Sequence, residues 1–191
     1  ACLTAAPSGS TPTNGLGYCS ERTNSPTTTF QMPTGTPKGF LQLTDDRGDR
    51  VGAVLYNRAL PSAEGLVVEF TTYQYGNDAA GADGIGFFLT DGAYELTATG
   101  GMGGALGYAY RTSTSWPTEQ GAAHGYLGVG LDVYGNFVNP SHTAPECGGS
   151  GTSPITQSVG LRGPGNGRTG YCLVAQNRVS STISKSLDKP S

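Results

Sequence analysis

Hydrophobic residues occur along this chain in short alternating runs. In residues 84–90, Ile85, Phe87 and Leu89 occupy every second position, and this period of two places them on one face of a β-strand. No segment makes a convincing amphipathic helix. Comparable runs predict strands at 40–44, 51–56, 65–75, 84–90, 105–110, 125–133, 156–161 and 170–175. This number of strands favours an all-β fold, built as a two-sheet antiparallel β-sandwich.

The length and composition of the chain fit one folded domain. The chain has 191 residues, which is long enough for a sizeable core. Its 31 glycines are consistent with many tight turns, and its hydrophobic fraction of 36% argues against disorder. We therefore expect a single domain over residues 1–191. Residues 1–39 form a loop-rich N-terminal segment that is dense in proline, threonine, serine and glycine.

The charge of the chain narrows its possible partners. The formal net charge is −3 and only 13% of the residues are charged, so the sequence offers no basic patch for nucleic acid or anionic lipid. No run approaches the ~18 apolar residues of a membrane span, and we expect no membrane insertion. A neutral, polar ligand suits such a surface better. The chain has no signal peptide and opens at Ala1, as a processed product would.

The four cysteines point to disulfide bonds. They contain no Cys-x-x-Cys spacing, so zinc or redox chemistry is not expected. An even number of cysteines in a polar chain suits an oxidising compartment, and three pairings are possible. We expect Cys2 to pair with Cys19, which would staple the N-terminal segment. We expect Cys147 to pair with Cys172, which would tie a loop to a late strand.

The most informative motif is the loop that follows the predicted strand 125–133. That strand ends near Asp132, and Tyr134 and Asn136 follow two and four residues later. A carboxylate, a backbone carbonyl and an amide at this spacing can converge on one hard cation such as Ca²⁺. Tyr134 and Phe137 are aromatic residues that we expect to be exposed, where they could stack on a sugar ring. The alternative is that the loop is an ordinary turn.

Three segments together resemble the L-type (legume-lectin-like) lectin domain, in its bacterial, secreted branch. They are 82–89, 103–108 and 125–140, and they stand in the order of that family and at roughly its spacing. The resemblance spans about 40–175. It implies a concanavalin A-like jelly roll and a calcium-dependent carbohydrate-binding domain, without enzymatic activity. It further implies a secreted or cell-surface bacterial protein that acts in adhesion or glycan recognition.

The resemblance also implies which residues bind the sugar. Asp83, which follows Ala82 through a cis peptide in the family, would accept hydrogen bonds from two sugar hydroxyls. Gly103 or Gly104 would donate a backbone N–H. Tyr134 would present its ring, and Asn136 would donate from its amide. The loop 162–168 corresponds to the one that shapes sugar specificity in the family, and its Asn166 and Arg168 could reach a ligand or could belong to a simple turn.

One calcium site is the implied metal centre. Its ligands would be Asp132, Tyr134, Asn136 and Asn139. The family has a glutamate two residues before the aspartate, where this chain has Gly130, so a second, transition-metal site is doubtful and His142 is expected to be an ordinary surface histidine. The single carboxylate of Asp132 neutralises only half of the charge of Ca²⁺. Glu146 is a candidate to complete the ligand shell.

Two other classes of function remain open at this point. A glycoside hydrolase on the same fold requires two carboxylates about 5–10 Å apart, and the strand that ends at Asp132 carries a single acid. A structural or assembly domain would keep the fold and lose the binding. The family normally continues beyond the position of Ser191, so we expect that strands are missing and that a partner chain or a further domain covers the exposed sheet edges.

Overall fold

The structure is a computed structural model that describes part of the chain. The described residues are 2–3, 41–44, 48–74, 81–112, 117–139, 145–147, 154–178 and 187. The chain divides into two compact units, Ala1–Val54 and Leu55–Ser191. The described residues are rich in strands and turns, and their only helices are two single 3-10 turns, Gly103–Ala105 and Pro145–Cys147. None of the described helices has the length and apolarity needed to cross a membrane.

The first unit contains one short antiparallel pair. Strand β1 (Cys2–Leu3) pairs with β2 (Leu41–Gln42). The predicted strand 40–44 is therefore confirmed at Leu41–Gln42, and the predicted strand 51–56 is wrong. Residues 51–56 form no strand, because β2 takes its hydrogen-bonding partner from the N-terminal end of the chain.

The second unit is organised around an antiparallel sheet. Its strands are β3 (Gly84–Thr90), β4 (Gly125–Asp132), β5 (Ser158–Arg162), β6 (Gly165–Asn166), β7 (Thr169–Gly170) and β8 (Leu173–Arg178). β4 pairs with β3 along one edge, and with β5 and then β6 along the other. β7 and β8 flank β6 and β5. The six strands thus form four antiparallel rows, and the all-β prediction is confirmed.

One face of this sheet is lined by glycines and is covered where β4 and β5 pair. Paired positions on neighbouring strands share a face, and we call this one the glycine face. It is defined by Gly128, Gly130, Asp132, Ser158, Gly160 and Arg162, all of them buried. A Cβ at Gly128 would lie 2.2 Å from Tyr108 Cδ1, and one at Gly130 would lie 2.3 Å from Phe137 Cδ1. The aromatic rings therefore pack directly on the backbone of the central strands.

The rings on the glycine face form the core of the unit. Tyr108 and Tyr171 meet edge to face with their centroids 5.3 Å apart, a favoured aromatic geometry. Their hydroxyls donate to the carbonyls of Gly163 and Ala122, each at 2.8 Å. Both tyrosines and Phe137 are completely buried. The core is thus closed by hydrogen bonds as well as by apolar contact.

The opposite face of the sheet is aliphatic and only partly covered. We call it the aliphatic face, and it consists of Ile85, Phe87, Leu89, Leu127, Val129, Leu131, Val159 and Leu161. Each of these side chains is half-buried. Phe70 packs against Phe87 with ring centroids 5.6 Å apart, yet Phe70 itself is 53% exposed. This face has the composition of a core without the burial of one.

Two further predicted strands are wrong. Within 65–75, the described residues 65–74 contain no strand, because no described strand pairs with their backbone. Residues 105–110 fold into a 3-10 turn and a further turn, since Leu106 and Gly107 have positive φ values of 50° and 76°. An extended strand cannot pass through that conformation.

Two other strands begin later than predicted. β5 begins at Ser158 because Gln157 has a φ of 57°, and β8 begins at Leu173 because Gly170 and Tyr171 have φ values of 85° and 58°. The bounds of β3 match the prediction, and β4 ends one residue early.

The predicted disulfide between Cys147 and Cys172 is confirmed. It joins the 3-10 turn Pro145–Cys147 to the residue before β8, with the Cα atoms 5.2 Å apart. The expected partner of Cys2, Cys19, lies outside the described residues. A disulfide of this kind persists in an oxidising environment.

Candidate ligand-binding site

The sheet brings the two predicted site segments together. Gly84 pairs with Asp132, so the start of β3 and the end of β4 lie at the same end of the sheet. The carbonyl of Asp83 accepts hydrogen bonds from the N–H groups of Val133 at 3.0 Å and Tyr134 at 3.1 Å. The Ala82–Asp83 peptide is cis, as the resemblance predicted. Asp83 and the loop after Asp132 therefore form one continuous surface.

Asp132 organises the loop that follows it. The side chain is completely buried. Its Oδ1 accepts the N–H of Gly135 at 2.7 Å, and its Oδ2 accepts the N–H of Phe137 at 2.5 Å. Burial raises the pKa of Asp132 to about 6; these two N–H groups oppose the rise, and the charge of Asp83 adds to it. The carboxylate thus acts from inside the protein as a clamp on the loop.

Arg162 holds the same loop from β5. Its Nε donates to the carbonyl of Phe137 at 2.7 Å, and its Nη2 donates to the carbonyl of Asn139 at 2.9 Å. Its Nη1 donates to the carbonyl of Tyr171 at 2.5 Å. The guanidinium is fully buried, and burial lowers its pKa to about 10. Arg162 and Asp132 together satisfy four backbone groups of the loop 133–139.

Of the loop residues, Tyr134 and Asn136 reach the surface. Tyr134 is 40% exposed and Asn136 is half-buried, and the Asn136 carbonyl accepts the N–H of Asn139 at 2.8 Å. Asn139 is 6% exposed. The expectation that Phe137 is exposed is wrong: its ring is completely buried because it packs on Gly130 and Gly160. Tyr134 is the one of the two predicted aromatics that a ligand can reach.

The glycine-rich loop distinguishes its two candidate residues. Gly103 is half-buried and Gly104 is buried. A Cβ at Gly103 would lie 3.6 Å from Asp83 Oδ2, so this residue stands directly beside the carboxylate. Its φ of 63° favours glycine. The geometry places Gly103 next to Asp83.

A charged residue near Asp83, Arg111, and its ion-pair partner Glu119 were missed from the sequence. Arg111 and Glu119 form an ion pair, with Arg111 Nε 2.9 Å from Glu119 Oε2, although the angle is not that of a hydrogen bond. Burial raises the pKa of Asp83, and the charge of Arg111 lowers it. No motif connects residues 111 and 119 in the sequence. Arg162 was missed as well, because the predicted strand ended at 161, whereas β5 continues to Arg162 and buries it with Ser158 and Gly160.

The candidate calcium ligands offer suitable donor atoms but few charged groups. Asp132, Tyr134, Asn136 and Asn139 offer only oxygen donors, which suit Ca²⁺ better than zinc. The hydroxyl of Ser158, which pairs in register with Asp132, is fully buried and has no hydrogen-bond partner among the described residues. A hard cation or its hydration shell would satisfy that hydroxyl. Against a metal site, the described ranges contain no cluster of three or more His, Cys, Asp or Glu side chains that could hold a metal ion.

Other residues proposed for the site lie elsewhere. Glu146 Oε1 accepts the N–H of Gly170 at 3.0 Å, so it stabilises a turn. Asn166 Oδ1 accepts the N–H of His124 at 3.2 Å. Because Gly125 pairs with Gly165, that contact lies at the far end of β4, roughly 20 Å from Asp132 by the rise of a strand. His142 is outside the described residues.

Comparison with known proteins adds no identification. No family model matches the sequence, and no solved structure matches the chain.

Proposed function

We propose that this protein is a carbohydrate-binding domain of the L-type lectin kind, with no catalytic activity. The observation that supports it is the meeting of Asp83, Gly103 and the loop that carries Tyr134 and Asn136 at one end of the sheet. These groups offer a charged acceptor, a backbone donor, an amide and an exposed aromatic ring. A sugar requires that combination, since its ring has polar edges and a less polar face.

Each group has a distinct task in this proposal. The Asp83 carboxylate accepts from two neighbouring hydroxyls, and charged acceptors form the stronger hydrogen bonds. The Gly103 N–H and the Asn136 amide donate to the sugar. The Tyr134 ring stacks on its face. Because Asp132 and Arg162 already hold the loop, little ordering would be required on binding.

Calcium dependence belongs to the same proposal. Asp132, Tyr134, Asn136 and Asn139 would hold the ion, which would supply charge compensation between the carboxylates of Asp132 and Asp83. Burial and, to a smaller extent, the charge of Asp83 raise the pKa of Asp132, so a cation would favour the ionised form of this carboxyl group. The unpartnered hydroxyl of Ser158 supports a hydrated group beside Asp132.

Binding is favoured over glycoside hydrolysis by the burial of Asp132. Hydrolysis requires two carboxylates that both reach the sugar. Asp83 and Asp132 interact electrostatically, yet Asp132 is completely buried and both its oxygens accept backbone N–H groups. Asp132 is therefore a support for the site and a poor acid or nucleophile.

The wider setting of the proposal is a jelly-roll sandwich in a secreted or cell-surface bacterial protein, with a role in adhesion or glycan recognition. The half-buried aliphatic face supports a second sheet that would pack on it. The Cys147–Cys172 disulfide supports an oxidising compartment.

A second candidate is a structural or assembly domain. It is favoured by an exposed apolar stretch in which Leu66, Val67, Val68 and Phe70 are 43%, 89%, 45% and 53% exposed. Contiguous exposed apolar residues mark sites of association. In this alternative, a partner chain or further domain covers these residues and the end of the sheet binds no sugar.

A glycan array, run with calcium and again with EDTA, separates the two candidates. We expect the wild-type protein to bind selected glycans in calcium only. Asp83→Asn should weaken this binding by about 1.5–3 kcal/mol, the range for hydrogen bonds to charged groups. Asp91→Asn is the matched control, because Asp91 is exposed at the other end of β3 and its carboxylate accepts the N–H of Ala93, within its own turn. An array with no bound glycan would favour the assembly domain.

A further inference from the structure

Two charged groups of opposite sign face the same small space above Gly103. A Cβ built on Gly103 would lie 3.6 Å from Asp83 Oδ2 and 3.5 Å from Arg111 Nη1. No ion pair within 4.0 Å joins Asp83 to Arg111, both of which the structure describes. We call this space the Gly103 niche. It has a hydrogen-bond acceptor and a hydrogen-bond donor on its walls, and a residue without a side chain at its floor.

Arg111 is fixed in this position by Glu119. The backbones of the two residues pair, with Arg111 N–H donating to the Glu119 carbonyl at 2.9 Å and Glu119 N–H donating to the Arg111 carbonyl at 3.0 Å. Glu119 Oε2 also accepts the N–H of Met102 at 3.0 Å. One carboxylate thus anchors both Arg111 and the residue that precedes Gly103. The Arg111 side chain is 14% exposed, so its position is set by the protein more than by solvent.

A hydroxyl group matches the Gly103 niche. A hydroxyl has one hydrogen to donate and two lone pairs that accept, so it can donate to Asp83 and accept from Arg111 at once. We propose that Arg111 is a further ligand-binding residue, which contacts the same sugar hydroxyl as Asp83. This inference rests on the proposed carbohydrate binding and specifies its ligand: a glycan with a free, unsubstituted hydroxyl at the position that enters the niche.

Variants of Arg111 test the proposal. The probes are the methyl glycosides of galactose, glucose, mannose and N-acetylgalactosamine, measured by calorimetry in calcium. Arg111→Gln should bind the preferred glycoside about tenfold more weakly or worse, as expected for a lost hydrogen bond to a charged group. Arg111→Lys should recover part of the affinity, because it keeps a cationic donor. Arg58→Gln changes an exposed arginine outside the candidate site and should bind like the wild type.

Modified sugars test the shared hydroxyl. One monodeoxy derivative of the preferred glycoside should bind the wild type at least tenfold more weakly, and the change Arg111→Gln should cause no further loss of affinity for that derivative. If the two losses multiply in full for every monodeoxy derivative, Arg111 contacts none of these hydroxyls and the proposal is wrong. Equal affinity of Arg111→Gln and the wild type for the parent glycoside would also overturn it.

A measurement on the wild type alone covers the case in which Arg111→Gln does not fold. The derivative that is O-methylated at the same position should not bind, because the methyl group would enter the Gly103 niche; undiminished binding would overturn the proposal. Wild-type protein that binds no probe and no glycan on the array would instead refute the proposed function, and this inference would fall with it.

Discussion

The two faces of the central sheet carry opposite kinds of residue. On the glycine face, small residues admit the rings of Tyr108, Phe137 and Tyr171 onto the backbone, and two buried charges hold the loop at the candidate site. On the aliphatic face, the side chains are large and apolar, as in a protein core, yet each is only half-buried. The difference shows that burial here depends on what packs against a strand, and only partly on the hydrophobicity of its own residues.

The two faces also differ in the kind of contact that covers them. The glycine face is closed by hydrogen bonds with defined partners, such as the three that Arg162 donates. The aliphatic face has contacts without direction, such as that of Phe70 with Phe87. A site that must hold Asp83 and Asn136 in fixed positions is better supported by the first kind of packing.

The largest expected effect comes from Arg162→Met. This change leaves three buried carbonyls without their donor while it keeps the apolar volume of the side chain. We expect a loss of about 3–5 kcal/mol in the free energy of unfolding, as for other broken buried polar groups, measured by guanidinium denaturation. Arg178→Met is the control, because Arg178 is exposed and should cost less than about 0.5 kcal/mol. A similar loss for both variants would contradict the role of Arg162 on the glycine face.

Gly130→Ala should come next. One added carbon would lie 2.3 Å from Phe137 Cδ1, so the ring must move away from the sheet. We expect about 2–3 kcal/mol of destabilisation, the upper range for overpacking. Gly48→Ala is the matched control, because a Cβ there would meet nothing within 4 Å. If Gly130→Ala is as stable as Gly48→Ala by thermal unfolding, the ring does not rest on the backbone.

The predicted strands show what the sequence could and could not predict. The alternation in 84–90 and 125–133 predicted β3 and β4 almost to the residue, because both strands have partners along their length. The same alternation failed in 65–75, where no described strand accepts the backbone hydrogen bonds. Alternation describes the two sides of a strand, but it does not show whether a neighbour exists.

The candidate site was predictable to a similar extent. Asp83 lies beside Gly103, and its carbonyl accepts the N–H of Tyr134; that these residues and Asn136 bind a sugar stays a prediction. The burial of Phe137 was not foreseen, because it depends on Gly130 and Gly160 from two different strands. Arg111 was not foreseen either, since only the folded chain brings it beside Gly103.

The pH dependence of stability tests the buried charge on the glycine face. The pKa of Asp132 is raised to about 6 from an ordinary 3.8, so the folded protein holds this proton more tightly than the unfolded chain. The stabilisation is complete below the ordinary pKa and is lost as the pH rises through 6. We expect a loss of at most about 2–3 kcal/mol between pH 4 and pH 6 in EDTA. Asp132→Asn should remove this part of the slope, and equal slopes in denaturant titrations would show that Asp132 does not titrate in this range.

The smallest expected effect is that of Val129→Ala, on the aliphatic face and adjacent to Gly130. Val129 is half-buried, so removing its two methyl groups should cost about 1 kcal/mol, roughly half the value for full burial. Because Gly130→Ala adds one carbon on the other face and Val129→Ala removes two here, the pair compares the two faces at neighbouring residues. A second sheet or a partner chain that covered the aliphatic face would bury Val129 fully. Guanidinium denaturation of Val129→Ala at several protein concentrations distinguishes these cases. A cost near ~1 kcal/mol that is independent of concentration fits an uncovered face. A larger cost that grows with concentration would show that another copy of the chain covers the aliphatic face.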